Sequence, residues 1–152
     1  MKINNPFSKP TVFILIPLIL VMVLDLIVTL AGQPVYYWQN YLLFNEGSPL
    51  GPYLLSSNPL IFILFFLVYV PLVLLLVANL KRPLNIMVGL GFFLGHAWGA
   101  SSWVPTVVYK VTGFYFINDW YLIIGFYIIL AIISGYCFNL WLESKFKNKA
   151  GI

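Results

Sequence analysis

Residues 12–31 read VFILIPLILVMVLDLIVTLA. About 20 apolar residues suffice for a helix to cross the roughly 30 Å hydrocarbon core of a bilayer, and this run has that length. Asp25 is its single charge. A carboxylate near mid-membrane costs about 2.5–3.5 kcal/mol on insertion scales, so it marks a polar site in the interior of a bundle.

Three more apolar segments follow, over about residues 59–79, 84–104 and 120–142. Asn58-Pro59 opens the second, and Lys81-Arg82-Pro83 separates it from the third. Prolines 59 and 83 fit the first turn of a helix, where no backbone donor is lost. The composition agrees: 62% of the 152 residues are hydrophobic and 8% are charged, against about 25% charged in soluble domains. The sequence thus predicts an all-α integral membrane four-helix bundle, with residues 1–152 forming one membrane domain.

Charge sets the expected orientation. Lys2, Lys9, Lys81, Arg82, Lys145, Lys147 and Lys149 fall on one side of such a bundle, and Lys110 alone falls on the other. Cytoplasmic segments carry the excess of Lys and Arg, which places both termini in the cytoplasm and suits a prokaryotic plasma membrane. The net charge of +4 therefore argues orientation rather than nucleic-acid binding. Lys2 and Lys9 ahead of an apolar run mimic a signal peptide, but the run is too long for an h-region, and it reads as a retained first helix. The tail lysines after Glu143 suit contact with anionic lipid.

The outer loop, 32–58, is long for a bundle connection and rich in aromatics. Tyr36, Tyr37, Trp38, Tyr41 and Phe44 are residues that favour the headgroup level. A short interfacial helix over 35–44 is expected, broken by Gly47, Pro49, Gly51 and Pro52, with a second short segment around 53–55.

Chemistry narrows to few residues. One cysteine, Cys137, excludes an internal disulfide, and one histidine, His96, excludes a bis-histidine haem within the chain. Asp25 lies about 14 residues, or about 21 Å, into span one; His96 lies about 12 residues, or about 18 Å, into span three. Both reach the outer half at similar depth. Thr29 follows Asp25 one turn on, Ser101 and Ser102 follow His96, and Glu46 and Asn58 come from the outer loop and the start of span two. An outward-opening polar cavity of Asp25, Thr29, Glu46, Asn58, His96, Ser101 and Ser102 is the expectation. Asp25, His96 and Glu46 are the candidate catalytic residues, and the only candidates for a metal. No helical metal motif, nucleophile elbow or phosphate loop occurs, and no motif implies a cofactor. Ser101 and Ser102 sit off the face of His96, which argues against a serine–histidine pair.

Glycines 91, 95 and 99 recur every fourth residue in the third span, and Ala131 and Gly135 share that spacing in the fourth. Small residues at this spacing let helices approach closely, so these five are expected to pack the bundle, or to seat a membrane-protein partner or a second copy.

Leu24-Asp25-Leu26-Ile27-Val28-Thr29, followed by Glu46-Gly47-Ser48-Pro49-Leu50, resembles an uncharacterised family of small polytopic prokaryotic membrane proteins. Its first span carries Asp-x-x-x-Thr, and a Glu-x-Asn-Pro-type element precedes the second. Ser48 stands here in place of the asparagine. The resemblance implies that Asp25, Thr29 and Glu46 form one site.

Three functions fit. A non-enzymatic accessory or assembly subunit accords with the small size and the lack of a catalytic motif. An intramembrane enzyme, or a metal- or lipid-binding protein, would use the Asp25/Glu46/His96 cavity. A small oligomeric ion or solute carrier would use Asp25, although polar groups are sparse in the inner half.

Overall fold

Among the described residues, five α-helices and two 3₁₀ turns account for the regular structure: α1 (Lys9–Gly32), turns at Val35–Trp38 and Tyr41–Leu43, α2 (Gly51–Ser57), α3 (Pro59–Asn79), α4 (Leu84–Thr112) and α5 (Asp119–Ala150). The computed structural model describes residues 9–81 and 83–150, with side chains for 15–81, 83–144 and 146. No strand occurs among them. The side chains of Lys2, Lys9, Arg82, Lys145, Lys147 and Lys149, expected to orient the chain, lie outside the described residues.

Among the described residues, three segments are long and apolar enough to cross a membrane: Leu15–Gly32, Pro59–Asn79 and Asp119–Ser144. Helix α4 is not among them, because its glycines, serines, tryptophans and His96 dilute its apolar sequence. It also runs two turns beyond the expected end near residue 104. Pro105 lies inside it, and the stop comes at Gly113, whose φ of 71° gives the left-handed C-cap that favours glycine. Likewise α5 continues to Ala150 rather than ending near 142. Bilayer thickness limits the apolar length of a helix, not its total length.

The aromatic segment is not one helix. It folds as the two 3₁₀ turns, with Asn40 between them accepting a bond from the Leu42 amide at 3.1 Å. Gly51 and Pro52 begin α2 instead of breaking structure. Tyr37 is buried and donates its hydroxyl to the Leu55 carbonyl at 3.2 Å, pinning the first turn to α2. Burial pushes its phenol above the ordinary tyrosine value, and neighbouring Tyr41 adds to this.

Helix α1 is the axis of the bundle and packs on α4, α5 and α3. Its inward stripe runs Leu15, Leu18, Met22, Asp25, Thr29 and Gly32, at alternating steps of three and four that keep one face toward the neighbours. Leu15, Leu18, Val21 and Met22 pack with Val73 and Val77 of α3, Ala97 of α4 and Leu130 of α5. Tyr37, Leu55, Phe62 and Phe66 form a second cluster beneath the 33–58 connection.

The glycine expectation is corrected here. The small residues buried on α4 are Ala97, Ala100 and Ser101. A Cβ at Gly91, Gly95 or Gly135 would meet nothing within 4 Å, and Ala131 is exposed. Within this chain those four positions are not helix-packing sites, because α4 turns its alanine face, not its glycine face, toward its neighbours. Of the three glycines 91, 95 and 99, it is Gly99 that faces another helix, against the Asp25 carboxylate.

Candidate functional site

Asp25 and His96 meet. The His96 Nδ1 lies 2.7 Å from Asp25 Oδ2, with the two side chains 13% and 14% exposed. The contact follows from helix packing: Asp25 is on the inward stripe of α1, and α4 brings a bare glycine against it. A Cβ at Gly99 would stand 2.9 Å from Asp25 Oδ1, so the absence of one is what lets the carboxylate lie flat on α4. With Asp25 ionised, His96 Nδ1–H is the donor, and neutral Nε2 is left to accept. Tyr69 of α3 supplies the donor, its hydroxyl 3.3 Å from Nε2. The imidazole is held edge-on to Phe66 and tilted against Tyr69, with ring centroids 6.0 and 5.7 Å away. Three helices thus each contribute one member of an Asp25–His96–Tyr69 chain of polar contacts.

This chain forms the floor of a cavity of about 860 Å³ between α3 and α4, at the end of the bundle that carries the 33–58 connection. Gly91 and Gly95 form one wall, and Phe65 and Phe66 belong to the opposite one. The glycine stripe therefore opens space for the cavity instead of closing a helix interface. Thr29 and Ser102 also line it. Thr29 is 4% exposed, yet its hydroxyl has no hydrogen-bond partner among the described residues. Ser102 donates to the Gly99 carbonyl at 2.7 Å.

Glu46 lines the rim. Its Oε1 accepts from the Ser48 amide at 2.7 Å, and Ser48 Oγ accepts from the Gly51 amide at 3.1 Å, a tight turn leading into α2. Asp25, Thr29 and Glu46 accordingly border one cavity. Glu46 does not join Asp25 and His96 as a metal set: no group of three or more His, Cys, Asp or Glu placed to hold an ion occurs among the described residues.

Two expected cavity residues lie elsewhere. Asn58 caps α3, accepting from the Leu60 amide at 2.7 Å. Ser101 is buried on the packed face of α4, bonded to the Trp98 carbonyl at 2.9 Å and within 3.4 Å of the Tyr127 hydroxyl. One residue of register separates it from the cavity-lining Ser102, and 100° of helix rotation decides between them.

Three residues escaped the sequence. Tyr69 carried a signal: it is a phenol in the middle of an apolar run, away from the ends where interfacial tyrosines sit. Gln33 is fully buried and clamps the loop, accepting from the Asn45 amide at 2.8 Å and donating to its carbonyl at 2.9 Å. Lys110 was legible only as the exception to the charge pattern. Its ammonium reaches the carbonyls of Ala31 and Gly32, each at 3.0 Å, and that of Gln33. It caps α1, where the orphan carbonyls and the helix dipole both favour a cation.

No protein-family model, no curated protein and no solved structure matches the chain.

Proposed function

We propose that this is a four-span membrane protein that binds one amphiphilic small molecule in the cavity between α3 and α4. The observation that carries it is the Asp25–His96 contact at the floor of a cavity of this size. Ligand pockets occupy about 300–1,000 Å³ and combine apolar walls with a few convergent polar groups. The aromatic and glycine walls would take the apolar part. Asp25, His96 and Thr29 would meet the polar head. The Asp25 carboxylate fixes the ring and tautomer of His96, which leaves Nε2 and Tyr69 as the pair able to pass a proton. The same pair would serve as acid and base were the bound molecule to react.

Two features support α4 as the fourth span. Its 29 residues exceed the length required, and its residues His96, Ser102 and Thr106 line a cavity instead of facing lipid. With four spans, the lysine bias puts both termini in the cytoplasm of a prokaryotic cell and the cavity in the outer half. The single outer cation, Lys110, is explained by its role at the end of α1.

An accessory-subunit role has one observation in its favour. The Ala131–Gly135 face of α5 is open, with nothing within 4 Å of a Cβ at Gly135, which suits a second helix.

A native mass spectrum of protein released gently from its membrane tests both. The expected result is a stoichiometric lipid-sized adduct that disappears in Gly95→Leu, where the new side chain fills open space and spares the packing. Bare protein in both cases overturns ligand binding. A stoichiometric protein partner, lost instead in Gly135→Leu, establishes the accessory role.

A further inference from the structure

We infer that the head of the bound amphiphile is a protonated amine. The inference rests on the proposed ligand-binding role and assigns that ligand its chemical class.

The polar surface of the cavity carries two carboxyl groups, Asp25 and Glu46. Asp25 gives Oδ2 to His96, and Oδ1 lies over Gly99 without a hydrogen-bond partner among the described residues. Glu46 gives Oε1 to the Ser48 amide, which leaves Oε2. The Thr29 hydroxyl makes no hydrogen bond among the described residues, and it is able to accept. Among the described residues, no lysine or arginine lines the cavity. Two carboxyl groups thus face one imidazole.

A phosphate or sulfate head would meet repulsion and no cation apart from His96. A hydroxyl head would supply one donor. An ammonium supplies three N–H donors and a positive charge, and hydrogen bonds to ionised acceptors are about twice as strong as neutral ones. The walls favour the same sign. Phe65, Phe66, Tyr69 and Trp98 line the cavity, and the face of an aromatic ring attracts an ammonium.

The test uses the full-length protein in nanodiscs of zwitterionic lipid. Three probes share one long alkyl chain and end in an ammonium, a hydroxyl or a sulfate. Binding is measured by titration calorimetry, with the Gly95→Leu protein subtracted as the measure of partition into lipid. The ammonium probe should bind at least tenfold more tightly than the alcohol, and the sulfate should not bind. Asp25→Asn and Glu46→Gln should each weaken the ammonium about tenfold and leave the alcohol within twofold. Glu46→Gln retains an oxygen for the Ser48 amide, so it remains informative if Asp25→Asn does not fold.

Alcohol binding equal to that of ammonium, and abolished by Gly95→Leu, overturns the amine assignment while ligand binding stands. Tighter sulfate binding does the same. If no probe distinguishes wild type from Gly95→Leu, the ligand-binding role fails together with the inference.

Discussion

Gly32→Ala should loosen the bundle where α1 meets α4. A Cβ there would collide with Cε3 of the Trp103 indole and stand 2.8 Å from Cζ3. Trp103 is itself buried on α4, so the ring has little room to turn. Overpacking of this kind costs about 3 kcal/mol, equivalent to roughly 6–12 °C of melting midpoint for a chain of this size. The effect should reach the site, since Gly32 lies two turns from Asp25 on the same stripe of α1. Gly91→Ala is the matched control: its Cβ would meet nothing within 4 Å, and the gain in helix propensity should hold or raise the midpoint. Thermal unfolding in detergent measures both. A Gly32→Ala midpoint equal to wild type would show that α1 and α4 do not pack as described.

That contrast shows what the sequence can reveal. The apolar runs, their breakers and the shared depth of Asp25 and His96 were all legible, because length and rise per residue are fixed by helix geometry. Rotation about the helix axis was not. Helix α4 carries small residues on two faces, Gly91-Gly95-Gly99 and Ala97-Ala100-Ser101, and nothing in their spacing says which one packs. The structure buries the alanine face and leaves glycines 91 and 95 along a cavity. The same ambiguity placed Ser101 in the site beside Ser102. The 33–58 connection was legible in composition and not in shape. Its path depends on contacts such as Gln33 with Asn45 and Tyr37 with Leu55, which join residues 12 and 18 positions apart through side chains that carry no motif.

Gln33→Leu should release that connection. The side-chain amide of Gln33 makes two bonds to the Asn45 backbone, at 2.8 and 2.9 Å, from a fully buried position. Each contributes about 1 kcal/mol, so local opening of the loop should become roughly thirtyfold more frequent. Hydrogen exchange at the Asn45 amide reads this directly. Gln33→Glu should give an intermediate rate, because a carboxylate still accepts from the Asn45 amide and no longer donates to its carbonyl. Glu46 is the next residue along, so the released loop should also carry its carboxylate away from the rim. Binding of the ammonium probe should then fall toward the Glu46→Gln level. Unchanged exchange at Asn45 in Gln33→Leu would mean that the loop is held by other contacts.

The contact of Asp25 with His96 spans 71 positions of chain, and the bonds from Lys110 to the end of α1 span 77 to 79. A chain threaded into a bilayer from its N-terminus therefore delivers the carboxylate long before its imidazole, and the last turn of α1 long before its cap. Through that interval α1 is an unfinished part, with an acid lacking a partner and carbonyls lacking donors. Both deficits are made good by one helix, α4, within the same few turns. Birth order thus makes the completion of α4 the moment at which the first helix gains its partners, and the cavity comes into being as part of that same event.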